Sequence, residues 1–236
     1  MTTGTPRRTL LRAAIAGTAA TAGVTLAASS AGAAVTRPSS ARPATPDQAL
    51  HELSEGNKRW RTFRQQHPHE TETLRQTLVT GQHPFAVVLG CIDSRVPPEL
   101  AFDQGLGDLM TVRSAGEVLD EAVLGSIAYG VLELEIPLVL VLGHQSCGAV
   151  AAAVEAEETG ERLPAHIQYL ADQIKPAIDH SQHGDARVDA TVSANVKMVQ
   201  ARLAAEPDLA ARVSQGKLAI VGARYELTNQ LVHRIV

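Results

Sequence analysis

Four short apolar runs punctuate the chain, at residues 85–90, 109–112, 137–142 and 218–221. None alternates apolar with polar positions, so each suits a strand buried on both faces, although a run this short can also be a buried helix segment. Between them the apolar positions recur with helical spacing, over residues 118–134, 148–158, 165–178 and 188–205. A further helical stretch precedes the first run, at 46–64: Leu50, Leu53, Trp60 and Phe63 fall along one face, and Asp47 and Glu52 favour its start. The polar stretch from 65 to 84 reads as a connection. Strands alternating with helices make βαβ units, so the pattern predicts an α/β fold with a central, mostly parallel sheet covered by helices. No repeat recurs at a fixed period.

Ahead of this domain the pattern changes character. Residues 1–34 hold a basic start (Arg7, Arg8, Arg12), an Ala-rich apolar stretch, and the small residues Ala31, Gly32 and Ala33. That is the layout of an export signal cut before Ala34. Gly17, Thr18, Thr21, Gly23 and Thr25 interrupt the apolar stretch, which makes it a poor membrane anchor. Paired Arg7-Arg8 ahead of Thr9-Leu10-Leu11 resembles the twin-arginine type, with a general secretory signal and a chance pair as the alternative. The expectation is an exported protein, periplasmic or extracellular. Residues 35–46, rich in Ser, Pro, Ala and Arg, read as a flexible linker, and 47–236 as one domain.

Composition narrows the function classes. The 236 residues are 44% hydrophobic and 19% charged with a net charge of -4, which excludes collagen, coiled coil and wholesale disorder. A slightly acidic balance with 3% aromatics lacks both the basic footprint and the stacking platform of a nucleic-acid binder. Two cysteines make no disulfide-dense scaffold.

Both cysteines sit just after predicted strands. Cys91 follows the first run; His144 and Cys147 follow the third. Ligands of open α/β sheets gather beyond the carboxyl ends of the strands, so these three residues meet at one sheet edge. Two thiolates and an imidazole leave a fourth position open on Zn²⁺, which is the make-up of a catalytic zinc site. Two other readings stay open on position alone: inert core cysteines beside a hydrogen-bonded His, or a Cys91–Cys147 disulfide in an exported protein. Asp93 and Arg95 follow Cys91 at two and four residues, on its face if the segment is extended. A bidentate Arg pair would hold such a carboxylate in one orientation beside a metal, whereas an ordinary surface ion pair would do little.

Taken together these motifs resemble the β-class carbonic anhydrases. Cys91-Ile-Asp-Ser-Arg-Val96 is similar to that family's Cys-x-Asp-Ser-Arg motif, and His144-Gln-Ser-Cys147-Gly148 to its His-x-x-Cys-Gly motif. Gly56-Asn-Lys-Arg-Trp60, Phe102-Asp-Gln-Gly-Leu-Gly-Asp108 and Val112-Arg-Ser-Ala-Gly116 also match its habits. The resemblance implies one Zn²⁺ per chain held by Cys91, His144 and Cys147, and a dyad of Asp93 and Arg95. It also implies a homodimer or higher homo-oligomer with active sites near the subunit interface, and a substrate pocket lined by Gln104 and Gly148. The implied reaction is reversible hydration of CO₂ to bicarbonate and a proton by zinc-bound hydroxide, with Asp93 as a fourth ligand in a closed state. Hydrolysis of CS₂ or COS on the same fold is one alternative; a non-enzymatic zinc or redox binding protein is another.

The chain departs from the family at three places. Ile92 replaces a small polar residue between Cys91 and Asp93. Val88 stands where some members carry a Trp of a noncatalytic bicarbonate site, which argues against such a site here. Glu117 replaces a frequent Asn. His67 and His69, like His180 and His183, lie in polar segments that predict solvated loops rather than a second metal site.

Overall fold

In the computed structural model, which describes residues 42–236, every residue of Leu138–His144 (β3) is buried. It stands in the middle of a five-stranded sheet. Ala86–Gly90 (β1) flanks it on one side and Ala219–Tyr225 (β4) on the other, with Leu109–Arg113 (β2) outside β1 and Val232–Arg234 (β5) outside β4. The first four strands are parallel, and β5 pairs antiparallel with β4. The predicted α/β class and mostly parallel sheet are what the chain forms.

Alternation along the strands divides the core between two faces. Val87, Leu89, Val139 and Val141 pack against Val123, Ile127 and Val131 of Glu121–Leu132 (α4), Val196, Val199 and Leu203 of Gly184–Ala205 (α7), and Leu209 of Pro207–Ser214 (α8). Ala86, Val88, Leu138, Leu140 and Leu142 face the other way, onto Ala49 and Leu53 of Pro46–Arg61 (α1), Ala101 of Pro98–Ala101 (α3), and Phe102. Leu89 is fully buried at this centre, and Leu89→Ala would cost about 2–5 kcal/mol. A third cluster gathers Cys91, Val118 and Cys147 with Val150 and Val154 of Gly148–Thr159 (α5) and Ile174 of Ile167–Ile174 (α6).

Helix α1 is fixed at both ends and along one side. Thr45 caps it by accepting the Gln48 amide, Pro46 opens it, and Lys58, Arg59 and Arg61 complement its final turn. At Gly56 a Cβ would lie 1.7 Å from the Phe102 carbonyl oxygen, so only glycine lets α1 sit this close. Next to it the buried Asn57 donates to the carbonyls of Ala101 and Gln230 and accepts from the Val232 amide, each at 2.9 Å. Trp60 Nε1 donates to the Tyr225 hydroxyl at 3.0 Å, and Arg59 Nε to Asp103 at 2.5 Å. The Gly56–Trp60 segment therefore works as a docking strip.

Several boundaries differ from the sequence pattern for local reasons. The first helix stops at Arg61 because Phe63 turns left-handed (φ 55°), leaving that ring 85% exposed instead of on the apolar face. Helix α4 starts late because Asp120 caps it, accepting the Val123 amide at 2.8 Å. Helix α6 gives way to a 3₁₀ turn at Lys175–Ala177, where Pro176 has no amide to donate. The stretch read as a polar connection contains a short helix, Glu72–Thr77 (α2), with no buried residue.

The stretch read as an export signal, and residues 35–41 of the stretch read as a flexible linker, lie outside the described residues. Of the rest of the linker, Arg42 bonds to Asp108 (2.9 Å) and to the Gly107 carbonyl, and Thr45 caps α1. No helix among the described residues is long and apolar enough to cross a membrane. Strand β1 is followed outward by β2 and β3 outward by β4, so connections diverge between β1 and β3. That divergence opens a crevice at the carboxyl ends of these two strands.

Candidate metal centre

Strand β1 runs out at Gly90, which is in register with Leu142, so Cys91 emerges beside the end of β3. His144 is the last residue of β3. Ser146 then turns left-handed (φ 55°), bringing the chain back so that Cys147 caps α5. Cys91, His144 and Cys147 are all buried, and their ligating atoms lie within 4.8 Å of one another. The two sulfurs are 3.9 Å apart and both are free, far beyond a disulfide bond. Two sulfurs at 2.3 Å from a tetrahedral ion would stand about 3.8 Å apart, so the pair has the spacing such an ion needs.

Imidazole geometry supports the same use. His144 Nδ1 donates to the Gln145 carbonyl at 2.9 Å, which leaves the lone pair on Nε2. Nε2 is buried and has no hydrogen-bond partner. An orphaned buried acceptor is costly, and a metal among the three residues satisfies it. The residues present thus fit a cation of the zinc type. The thiols are also poised unequally: the Cys147 thiol and the Gly116 amide draw the Cys91 thiol well below its ordinary range, although burial opposes them. Cys147 is pushed up by its hydrogen bond to the Cys91 sulfur and by burial. A divalent cation held there would let both sulfurs bind as thiolates.

Asp93 and Arg95 stand beside these three residues as a pair. Arg95 donates its amide and Nε to Asp93 Oδ1, both at 2.9 Å, and Nη2 to Oδ2 at 2.7 Å. This grip holds the Asp93 carboxyl well below the usual carboxylate range, so it stays ionised throughout ordinary working pH. Arg95 Nη2 also reaches the Ser146 carbonyl at 3.4 Å, tying the Cys91 loop to the Cys147 loop.

Of the two predicted pocket residues, Gly148 follows Cys147 directly, and a Cβ there would meet nothing within 4 Å. It borders open space. Gln104 is buried, and its Nε2 donates to Glu52 Oε1 (3.2 Å) and the Phe102 carbonyl (3.0 Å) rather than to Cys91, His144 or Cys147. Val88 is buried in the core against α1, and Ile92 is 60% exposed, away from the site. His69 pairs with the buried Asp108 at 2.6 Å, and His67 lies 3.7 Å from Glu70; His180 and His183 are exposed.

Sequence reasoning missed Arg113 and Asn195, and gave Glu117 no role. Arg113, at the end of β2, donates Nε to the Cys91 carbonyl (2.8 Å) and Nη2 to the Asp93 carbonyl (2.7 Å). Glu117 is 2% exposed, and Asn195 of α7 donates to the Gly116 carbonyl at 2.7 Å. Arg113 had a weak signal, because it lies in the Val112–Gly116 segment; Asn195 had none.

Comparison with known proteins places this geometry. The family model for carbonic anhydrase matches residues 86–232. Carbonic anhydrase 2 of Mycobacterium tuberculosis is 44% identical over 184 residues, 77% of this chain and 89% of that protein. The β-carbonic anhydrase CcaA superposes with a TM-score of 0.64 at 25% identity, covering 78% of this chain and 94% of that one. A tetrameric β-carbonic anhydrase of Sordaria macrospora gives the same TM-score at 20% identity, covering 79% and 96%.

Proposed function

The chain belongs to the carbonic anhydrase family, in its β class, and from that membership we propose that Cys91, His144 and Cys147 hold one Zn²⁺ per chain for the reversible hydration of CO₂ to bicarbonate and a proton. The observation that carries the metal assignment is the buried, partnerless Nε2 of His144 facing two free sulfurs 3.9 Å apart. Thiolate with imidazole suits zinc better than the oxygen-loving cations. When bound, zinc supplies Lewis acidity that brings the pKa of water from 15.7 down to about 7, and with it a nucleophile at neutral pH.

The protein's own groups orient and exclude. Asp93 accepts a hydrogen bond from the attacking oxygen, and because Arg95 keeps it ionised it can do so across the working pH range. Released from Arg95, the same carboxylate would be the natural fourth ligand and would close the site. Val118 and Val150 pack with both cysteines and present an apolar wall fit for CO₂, while Gly148 leaves the approach clear. Gln104 is proposed as a pocket residue contributed near the subunit interface of a homodimer or higher oligomer. Export by the twin-arginine route is likewise a proposal; it rests on Arg7-Arg8 and on the advantage of loading thiolate ligands before they meet an oxidising compartment.

Stopped-flow CO₂ hydration on purified protein, with zinc quantified in the same sample, tests the reading. Turnover with one zinc per chain is expected. A zinc-free native protein carrying a Cys91–Cys147 disulfide would overturn it, and turnover of COS or CS₂ without CO₂ hydration would reassign the substrate.

A further inference from the structure

The Gly116–Glu117 turn is the most constrained stretch of backbone beside the centre. Both residues are left-handed, with φ 65° and 54°. A side chain at Gly116 would meet Ile174 Cδ1 at 2.7 Å. Glu117 has no glycine's freedom, so its surroundings must hold it there. Its carboxyl is buried, with Oε1 lacking any hydrogen-bond partner and Oε2 3.4 Å from Asn195 Nδ2. Burial pushes this carboxyl well above the usual range, with the Cys91 charge adding to it.

What crosses to the turn is Asn195, itself 1% exposed, whose Nδ2 donates to the Gly116 carbonyl at 2.7 Å. On the turn's other side the Gly116 amide donates to Cys91 Sγ at 3.3 Å. We infer that Asn195 is a positioning residue for the metal centre: by binding the Gly116 carbonyl it holds the turn whose amide is donated to the Cys91 sulfur. The inference rests on the reading of Cys91 as a metal ligand. An amide donated to a ligating thiolate withdraws charge from the sulfur, and the metal stays the more acidic for it.

The test uses the full chain loaded with Co²⁺, whose thiolate-to-metal charge-transfer band reports the electron richness of the sulfurs. In Asn195→Ala the band moves to longer wavelength, metal passes to a chelator about 10-fold faster, and the pH midpoint of CO₂ hydration in the zinc form rises. Glu117→Gln, neutral and near-isosteric, leaves the band and the chelator rate within about twofold of wild type on the same outer-shell reasoning. A merely structural Asn195 predicts lowered thermal stability with the band and pH midpoint unmoved, and that result overturns the inference. If Asn195→Ala does not fold, Asn195→Leu, which fills a similar volume without a donor, carries the same expectation. A shifted band in Glu117→Gln counts against the inference in either case. Absence of any thiolate-to-cobalt band in the wild type would instead defeat the metal reading itself.

Discussion

Asp93 Oδ2 lies 3.9 Å from His144 Nε2 while Arg95 Nη2 holds the same oxygen at 2.7 Å. One carboxylate oxygen is thus shared between the guanidinium that restrains it and the edge of the ligand set. Removing the restraint should let the carboxylate fall onto the metal. Arg95→Ala is expected to lose CO₂ hydration by about 100-fold or more while keeping full zinc content. Asp93→Asn, unable to accept the same hydrogen bond in the same way, should fall comparably. Hydration rates and zinc content from pH 6.5 to 9 check both, and near-normal turnover in either variant removes the dyad from the mechanism.

The two sulfurs and the imidazole make a second expectation. With metal bound, neither thiol should react with a thiol reagent in the native protein; after chelation both should. Cys147→Ser should lose zinc and activity together, because two protein ligands cannot hold the ion as three do. Thiol titration paired with metal analysis reads this directly.

Arg113 spends its guanidinium on backbone. Its bonds to the carbonyls of Cys91 and Asp93 bracket Ile92 and fix the loop that carries both the Cys91 sulfur and the Asp93 carboxylate. Arg113→Ala should cut kcat by about 10- to 100-fold with zinc retained, since small misplacements at a reacting centre are expensive. Arg113→Lys, which can reach one carbonyl, should recover part of the loss. An unchanged kcat in Arg113→Ala would show that the loop holds itself.

Glu117 bears on stability through pH. Its folded pKa is raised above the unfolded value near 4.5, so its favourable contribution is fully present below about pH 4.5 and is lost as pH rises through the folded pKa. Glu117→Gln removes that dependence. The variant's Tm relative to wild type should therefore climb from pH 5 to pH 8, and a difference that stays flat would mean the carboxyl is not held protonated.

Replacing Arg7-Arg8 with Lys-Lys should trap precursor inside the cell. Fractionation of the two strains measures it, and undiminished export would make the pair incidental.

The strands and the meeting of Cys91, His144 and Cys147 were legible because they share one cause. A strand buried on both faces must be apolar throughout, so the runs containing Val87 and Val139 stand out, and a polar or sulfur-bearing residue directly after such a run lies at the sheet's ligand-binding edge. Short or exposed elements carried no such mark: α2 buries nothing, α8 follows α7 almost without a break, and β5 is three residues long. The supporting residues were hidden for another reason. Arg113 and Asn195 act on backbone carbonyls, which every residue has, and Asn195 lies 79 positions from the Gly116 it holds. No spacing rule connects such partners; only the finished fold does.

Cys91 and Cys147 are separated by 56 positions, a span that takes in α3, β2, α4 and β3. An ion shared by both would cinch that span into a closed ring. On the loop-entropy argument used for disulfides, a ring of this size withdraws about 4 kcal/mol of disorder from the unfolded chain. The centre would then be a fastener as well as a reagent: while the ion stays, β1 cannot peel away from β3, and loss of the cofactor would slacken the sheet at its middle rather than at its rim.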